Sequence, residues 1–274
     1  MIDAKKFCFL IQARSDDDYF DTFRTEDSDC FVLTFNCRVH KENYIYAPKT
    51  SWSEGRNLLL KEAYGKKDYE YYVFMDDDAR IVDKETGSCG ISKFKELLLK
   101  HLPAVGFPDY YWHLNGTADR FGSPQRLGFL DSPHYYDACV NAFHKDCIQY
   151  ILPYEVKYDK VSWWLSQEVM NYCTFFLLDN SVLQFNELLT INNESSDYPQ
   201  ERGVGILNDA YYKYAKYLID FESGVLYPEN RVLSFSESYR TACEIKDELS
   251  LRFETLLSKD HCFYINNRSF WETV

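Results

Sequence analysis

Three consecutive aspartates, Asp76, Asp77 and Asp78, are the side chains of this sequence whose types and spacing best suit chemistry. They directly follow residues 71–75, an apolar Tyr-Tyr-Val-Phe-Met run that predicts a buried strand. Three carboxylates at the end of such a strand repel one another, and a divalent cation would relieve that repulsion. Oxygen ligands suit Mg²⁺ or Mn²⁺, which bind through one or two carboxylates together with substrate phosphates. We therefore expect a metal site with Asp76 and Asp78 as its protein ligands.

A second triple aspartate, at residues 16–18, provides a comparison within the same chain. It lies four residues beyond the first predicted strand, and no apolar run leads directly into it, so it predicts a solvated loop. The buried strand before residues 76–78, and not their charge, is therefore what indicates a site. The alternative, a strand end whose carboxylates are only solvated, stays open at this stage.

Polar residues also follow the first two predicted strands. Gln12-Ala13-Arg14 come after the first strand, and Asn36 ends the second. In a doubly wound sheet, ligands bind at the carboxyl ends of the strands. We expect these four residues to lie where the base or ribose of a nucleotide would bind.

A helix is predicted over residues 51–64, where Ser51 and Glu54 can form a capping box. Arg56 and Asn57 lie near its start, close to free backbone N–H groups that commonly bind phosphate. We expect Arg56 and Asn57 to contact a nucleotide. The alternative is an ordinary capped helix that carries a surface arginine.

Strand and helix patterns alternate along the chain, which predicts an α/β fold with a mainly parallel central sheet flanked by helices. The predicted strands cover residues 6–11, 31–35, 71–75, 104–107 and 137–143, and the predicted helices cover residues 51–64, 91–102, 162–176, 206–219 and 236–257. Residues 111–135 predict a long loop, and long loops in compact domains are often functional.

Charge and composition exclude several classes of partner. A formal net charge of −13 opposes attraction to nucleic acid or anionic lipid. No segment approaches the roughly 18 apolar residues of a membrane span, and the N-terminus lacks the pattern of a signal peptide. Nine cysteines without Cys-x-x-Cys spacing favour free thiols in a reducing compartment. We expect a soluble, cytoplasmic protein with no membrane span.

Taken together, these motifs resemble the GT-A class of glycosyltransferases over about the first 150 residues. The residues that carry the resemblance are Gln12-Ala13-Arg14, Ser53-x-Gly55-Arg56-Asn57 and the strand that ends in Asp76-Asp77-Asp78. The resemblance implies one GT-A-like (Rossmann-like) domain over residues 1–274. Its nucleotide-sugar-binding half would cover about residues 1–110, and its acceptor-binding half, with C-terminal helices, about residues 111–274.

The same resemblance implies roles for the three aspartates. Mn²⁺ or Mg²⁺ would bind the diphosphate of the donor, with Asp78 as a direct ligand. Asp76 would serve the metal or the ribose, and Asp77 would face the donor sugar. Some GT-A enzymes add a distal histidine to the metal, for which the candidates are His113, His134 and His261.

The middle of the chain resembles the acceptor half of compact glycosyltransferases encoded by large algal (chlorella) viruses. The matching segments are residues 137–144, 152–154 and 162–168. This resemblance implies transfer from a UDP-sugar to a glycan acceptor in capsid-glycan synthesis, with UDP-xylose as the first donor to test. No residue establishes the choice of sugar, so the identity of the donor stays open.

An inverting transferase needs one carboxylate that deprotonates the acceptor hydroxyl. Asp159 and Glu168 flank the pair Trp163-Trp164 and are the candidates for this base. The alternatives are a helix cap for Asp159 and a solvated carboxylate for Glu168. Either tryptophan could stack on a sugar or pack in the core. We expect inversion, although a retaining mechanism would need no such base.

Two other classes of protein compete with this interpretation. Haloacid-dehalogenase-type phosphohydrolases also carry Asp-x-Asp after an apolar strand, but Arg80 stands where their pattern has Thr or Val. An inactive module that binds a sugar or nucleotide would use the same cleft, since a fold alone does not establish activity. A nucleotidyltransferase is a lesser third alternative.

Overall fold

The computed structural model describes residues 5–110, 124–126, 136–156, 158–163, 166, 167, 170, 171, 174 and 181–192. Nine strands lie within these residues: β1 (Phe7–Ala13), β2 (Ser28–Thr34), β3 (Tyr44–Tyr46), β4 (Tyr71–Asp76), β5 (Ala79–Asp83), β6 (Val105–Tyr110), β7 (Pro124–Arg126), β8 (Val140–His144) and β9 (Val182–Asn192). The helices are α1 (Trp52–Ala63), α2 (Ile91–His101), the short α3 (Ile148–Ile151) and a 3₁₀ helix (Asp18–Phe23).

The nine strands form one sheet in the order β3-β2-β1-β4-β8-β6-β9-β5, with β7 also paired to β9. The first four strands of this order are parallel. β8 is antiparallel to both β4 and β6, and β9 is parallel to β6. Six of the nine described strands therefore run in one direction, and β5, β7 and β8 oppose them. The predicted α/β class with a mainly parallel sheet flanked by helices is confirmed.

Two hydrophobic layers cover the two faces of this sheet. Alternate residues of β1 point to opposite faces, so Cys8 and Leu10 join the layer that contains α1, while Phe9 and Ile11 join the layer that contains α2 and the 3₁₀ helix. All four side chains are buried. Burial on both faces explains why the sequence of β1 is a continuous apolar run.

The sequence pattern at residues 51–64 predicted α1 correctly. Ser51 caps the helix by accepting a hydrogen bond from the backbone N–H of Glu54, and the Glu54 side chain accepts one from the N–H of Ser51. This is the predicted capping box. Within the predicted helix at 162–176, Ser162 is not helical, whereas the other described residues, Trp163, Ser166, Gln167, Met170, Asn171 and Thr174, are. The loop predicted at 111–135, apart from β7, and the helices predicted at 206–219 and 236–257 lie outside the described residues.

The long strand β9 escaped prediction, and β8 begins three residues later than expected. β9 interrupts its apolar pattern with Gln184 and Asn186, which are nevertheless buried. Gln184 donates hydrogen bonds to Asp109 on β6 at 3.0 Å and to Asn186 at 2.9 Å. β8 starts only at Val140 because residues 138 and 139 form a turn. Within the described part of the chain, no helix is both long and apolar enough to span a membrane.

Gly55 allows α1 to lie close to the end of β1. A Cβ atom added at Gly55 would lie 2.3 Å from Nε2 of Gln12, which donates a hydrogen bond to the carbonyl oxygen of Ser51. Alanine normally stabilises a helix relative to glycine by about 1 kcal/mol. We expect Gly55→Ala instead to lower the free energy of unfolding by ~1 kcal/mol, because the Gln12 amide must leave its partner.

Chemical denaturation of a double-mutant cycle checks this prediction. In a Gln12→Ala background the same Gly55→Ala change should be neutral or stabilising, because no amide obstructs the new methyl group. Equal effects of Gly55→Ala in the two backgrounds would contradict the contact.

Candidate functional site

The three aspartates lie where β4 ends. Asp76 is the last residue of β4, and Asp77 and Asp78 form the turn into β5. Gln12 of β1 is the register partner of Asp76, so the ends of these two strands are adjacent. Arg14 and Asn36 extend the same edge: both are exposed, and the N–H of Asn36 donates a hydrogen bond to the carbonyl of Arg14 at 3.2 Å. The structure thus brings together the three strand ends that sequence analysis singled out.

Two other residues of the predicted nucleotide site are less accessible. Ala13 is completely buried, and its carbonyl accepts a hydrogen bond from the N–H of Phe35 at 3.1 Å, so it offers no contact to a ligand. Gln12 is partly buried, and its amide nitrogen is bound to Ser51.

Asp76 is held by a buried arginine. Nη2 of Arg56 lies 2.5 Å from Oδ1 of Asp76, and the indole Nε1 of Trp52 lies 3.4 Å from the same oxygen. Arg56 is only 1% exposed, whereas the Asp76 side chain is 26% exposed. Burial raises the pKa of the Asp76 carboxyl, and the Arg56 guanidinium opposes that effect. One carboxylate oxygen is therefore engaged, while no described group donates a hydrogen bond to Oδ2.

Aromatic rings surround the Arg56 guanidinium. Its central carbon lies 4.3 Å from the ring centre of Trp52 and 5.3 Å from that of Tyr154. Nη1 also donates a hydrogen bond to the Tyr154 hydroxyl at 3.1 Å. The alternative of a surface arginine is therefore wrong. The guanidinium faces Asp76 and Tyr154 inside the core, so any effect of Arg56 on a nucleotide passes through Asp76.

Asp77 ties the turn to neighbouring segments. Its Oδ2 accepts a hydrogen bond from the backbone N–H of Arg14 at 3.0 Å. Its carbonyl oxygen accepts one from Nη1 of Arg80 at 2.9 Å. Arg80 also pairs with Asp17 at 3.0 Å and lies 4.1 Å from the ring centre of Tyr19. These contacts fix the turn between β4 and β5 against the end of β1 and the loop at residues 16–18.

That loop was predicted to be merely solvated, and its contacts correct the prediction. Asp16 pairs with Lys41 at 2.6 Å and accepts a hydrogen bond from the Tyr44 hydroxyl. Asp17 caps the 3₁₀ helix through the N–H of Tyr19 at 2.8 Å, and Asp18 is exposed. The loop has partners for two of its three charges.

Asp78 differs from its neighbours because it makes no ion pair with any residue that the structure describes. Burial raises the pKa of its carboxyl, and the charges of Asp76 and Asp77 raise it further. No group of three or more His, Cys, Asp or Glu side chains in the described ranges is arranged to hold a metal ion alone. Asp76 and Asp78 supply carboxylate oxygens of the kind that Mg²⁺ and Mn²⁺ prefer, and a cation held by these two residues would need its remaining ligands from a substrate or from water.

The structure contradicts the base role predicted for Asp159. Its Oδ2 accepts a hydrogen bond from the backbone N–H of Ser53 at 2.8 Å. Its Oδ1 accepts from the hydroxyls of Ser53 at 2.6 Å and Ser166 at 2.7 Å. Asp159 is 3% exposed, so neither oxygen is available to a substrate. The helix-cap alternative is correct, but the helix that Asp159 caps is α1, 106 residues away in the chain.

This cap also changes the roles expected at the start of α1. The N–H of Ser53 already binds the Asp159 carboxylate, so it does not offer a phosphate site. The amide of Asn57 exchanges two hydrogen bonds with the backbone of Tyr154, at 2.9 and 2.8 Å. Asn57 thus fastens α1 to the segment before Asp159, and it is not positioned to bind a nucleotide.

The remaining predicted residues lie either in the core or outside the described residues. Trp163 packs against the core, with its ring stacked on Trp52 at 6.2 Å. The candidates that lie outside the described residues are Glu168, Trp164, His113, His134 and His261.

Sequence reasoning missed Asp137, which lies in the turn before β8. The backbone N–H of Asp76 donates a hydrogen bond to the carbonyl of Cys139 at 2.9 Å, which places this turn beside the end of β4. Asp137 lines a small pocket, with room for about one water molecule, together with Phe107, Pro108, Tyr110, Tyr136, Cys139, Val140 and Thr190. The only signal in the sequence was an acidic residue directly before an apolar run.

The ionisation of Asp137 is shifted by its surroundings. Burial raises the pKa of its carboxyl to about 6, and the charge of Asp76 acts in the same direction. The Arg56 guanidinium and the backbone N–H of Cys139 oppose this shift. Asp137 is thus a carboxyl that titrates near neutral pH beside the candidate metal site, as proton-transfer groups often do.

The raised pKa predicts that Asp137 lowers the stability of the metal-free protein at neutral and alkaline pH. A carboxyl whose folded pKa lies above its ordinary value of 3.8 loses stabilising free energy as the pH rises through about 6. We expect Asp137→Asn to raise the free energy of unfolding by ~2 kcal/mol at pH 8 and by almost nothing at pH 4. Urea denaturation at the two pH values measures this. A gain of the same size at both would contradict the ionic origin of the effect.

Comparison with known proteins identifies no family for this chain. No family model matches it, and no curated protein matches it in sequence. Among solved structures, 26 chains match. One of these is the crystal structure of S. aureus TarS 1-349, which is 14% identical and covers 91% of this chain and 72% of its own, with a TM-score of 0.41. Similarity at that level does not establish kinship, so the fold class stands on the strand order and helices described above.

Proposed function

We propose that this chain is a metal-dependent glycosyltransferase that uses a nucleoside diphosphate-sugar as its donor. The observation that carries this proposal is the contrast between Asp76 and Asp78. Arg56 compensates Asp76 on one side, whereas Asp78, next to two other carboxylates, has no ion pair with a described residue. An arrangement of this kind is destabilising unless a cation joins it, and a diphosphate would complete the ligands of that cation.

The divalent metal, Mn²⁺ or Mg²⁺, would neutralise the charge that develops on the departing diphosphate. Asp78 and Oδ2 of Asp76 would hold it at the end of β4. Asp77 keeps this turn against β1 through the N–H of Arg14. The exposed side chains of Arg14 and Asn36 then lie at the same edge, where they can bind the base, ribose or phosphates of the donor.

The charge of the whole chain supports the need for a metal. A net charge of −13 repels an anionic donor at long range, so local cations must supply the attraction. In the described part of the site, Arg56 is buried and paired with Asp76, and the exposed Arg14 already lies with its Nε 3.9 Å from Asp77. This favours metal-assisted binding over recognition of the phosphates by arginine alone.

The identities of the donor sugar and of the acceptor are proposed from the resemblance to glycosyltransferases described in the sequence analysis. A UDP-sugar is the preferred donor, UDP-xylose is the first to test, and the acceptor would be a glycan. Transfer with inversion, the choice between a pentose and a hexose, and a role in synthesis of a viral capsid glycan remain predictions that the described geometry leaves open.

A screen for donors tests the proposed function. The full chain is incubated with a panel of UDP- and GDP-sugars, glycan acceptors and Mn²⁺, and release of the free nucleotide is measured. We expect release with at least one donor, and loss of that release with EDTA. Metal-dependent binding of UDP without turnover of any donor would favour the inactive binding module. Release of phosphate from simple phosphate esters without any sugar donor would favour the phosphohydrolase.

A further inference from the structure

We propose that Arg56 and Trp52 are positioning residues that leave Asp76 only one oxygen for a metal ion, so that the site accepts Mg²⁺ or Mn²⁺ and discriminates against Ca²⁺. This inference rests on the proposed function and adds the choice of metal to it. It starts from the two oxygens of the Asp76 carboxylate, which have different surroundings. Nη2 of Arg56 at 2.5 Å and Nε1 of Trp52 at 3.4 Å both donate to Oδ1, whereas no described group donates to Oδ2.

The Arg56 guanidinium is held firmly and cannot move aside for a metal ion. It is buried, and its Nη1 donates a hydrogen bond to the Tyr154 hydroxyl at 3.1 Å. The ring centres of Trp52, Tyr154 and Phe74 lie 4.3, 5.3 and 5.7 Å from its central carbon. A buried side chain packed in this way has no room for another rotamer. Oδ1 of Asp76 therefore keeps its positively charged partner whether or not a metal binds.

A metal ion that used both oxygens of Asp76 would share Oδ1 with this guanidinium. Two positive charges on one oxygen repel each other, and water screens that repulsion less in a partly buried site than in bulk solution. Coordination through Oδ2 alone keeps the metal farther from Arg56. Asp76 should therefore supply one ligand atom, and not two.

A single oxygen from Asp76 suits some divalent cations better than others. Mg²⁺ forms compact octahedral sites in which phosphate oxygens and water complete one or two carboxylates, and Mn²⁺ also favours octahedral oxygen sites. Ca²⁺ is larger, takes about 6–8 oxygens and often binds a carboxylate through both of its oxygens. The described residues contain no group of three acidic, histidine or cysteine side chains that could hold a metal ion. They therefore offer few of the oxygens that Ca²⁺ needs, whereas a diphosphate could complete the site for Mg²⁺ or Mn²⁺.

The test measures how well each metal supports binding of UDP to the full chain. The increase in Tm caused by UDP is recorded at rising concentrations of Mn²⁺, Mg²⁺ or Ca²⁺, which gives the metal concentration at half of the full increase. For the wild type we expect this concentration to be at least ~10-fold higher for Ca²⁺ than for Mg²⁺. In Arg56→Met the ratio of the two concentrations should fall toward one, because a metal can then use both oxygens of Asp76.

Trp52→Phe keeps the test independent of the stability that Arg56→Met loses. It retains an aromatic ring beside Arg56 and Tyr154 but removes the N–H donor to Asp76, so the ratio should fall roughly twofold. Trp163→Phe is the matched control, because it changes the ring stacked on Trp52 and leaves both donors to Asp76 in place. It should leave the ratio unchanged. A merely structural role of Arg56 and Trp52 would lower Tm without changing the ratio.

The outcomes separate this inference from the proposed function. A wild type that binds UDP as well with Ca²⁺ as with Mg²⁺ would overturn the positioning role alone. An unchanged ratio in Trp52→Phe would also overturn it, whether or not Arg56→Met folds. A wild type that binds UDP equally well in EDTA, or does not bind UDP with any of the three metals, would overturn both proposals.

Discussion

Asp78→Ala should reduce sugar transfer by at least ~1000-fold and, at the same time, raise the Tm of the metal-free protein. The loss of activity is expected because Asp78 would be a direct ligand of a metal that contributes several kcal/mol to stabilising the leaving group. The gain in stability is expected because burial and the charges of Asp76 and Asp77 both disfavour an ionised Asp78. Removing its charge relieves that repulsion. Opposite effects on function and stability are typical of residues that a site needs but the fold does not.

The chain supplies its own control for this change. Asp18 belongs to the other triple aspartate and is exposed, so Asp18→Ala should alter neither transfer nor stability appreciably. Initial rates with the best donor and thermal unfolding in EDTA measure the two effects. An Asp78→Ala variant that keeps more than a tenth of the wild-type rate would contradict the metal site.

Arg56→Met should be the most destabilising single change at this site, costing about 3 kcal/mol of the free energy of unfolding. Removing one partner of a buried ion pair typically costs 3–5 kcal/mol, because the other charge stays buried without compensation. The lower end applies here because the Asp76 side chain is 26% exposed. The variant also loses the contacts of the guanidinium with Trp52 and Tyr154. Arg56→Lys should restore little, because an ammonium group cannot contact Asp76 and Tyr154 with the same planar geometry.

A double-mutant cycle separates charge from packing at this pair. Arg56→Met combined with Asp76→Asn removes both charges, so it should recover at least half of the stability lost in Arg56→Met alone, without any recovery of transfer. Urea denaturation in the absence of metal measures the four proteins. Strictly additive effects of the two changes would show that Arg56 does not compensate Asp76.

The parts of the fold that sequence patterns predicted are those governed by local rules. β1, β2, β4 and α2 follow from continuous apolar runs or helical spacing, and α1 follows from its capping box. β9 could not be predicted this way because Gln184 is buried through a hydrogen bond to Asp109, 75 residues away. A polar residue within an apolar run predicts a solvent-exposed position. Only the hydrogen bond to a partner distant in the sequence shows that the residue is buried.

In the candidate site, too, residues with a local sequence signal were predicted and residues that depend on distant contacts were not. Asp76 and Asp78 could be recognised as candidate site residues because an apolar run, residues 71–75, directly precedes the aspartates in the sequence. Asp159 was misassigned because its partner Ser53 is 106 residues away, and no local pattern reveals a cap supplied from such a distance. Asp137 was missed because β8 becomes the neighbour of β4 only in the folded sheet. Prediction from sequence therefore located the sheet edge of the candidate metal site but not Asp137 beside it.

Thermal unfolding with UDP in the presence and absence of Mn²⁺ tests the central claim most directly. The proposed site binds the nucleotide through the metal, so UDP and Mn²⁺ together should raise Tm by several degrees, whereas UDP with EDTA should have no effect. At a ligand concentration of about 100 times Kd, the expected stabilisation is ~2.7 kcal/mol. An increase in Tm with UDP that is undiminished by EDTA would contradict a metal-diphosphate site at Asp76 and Asp78.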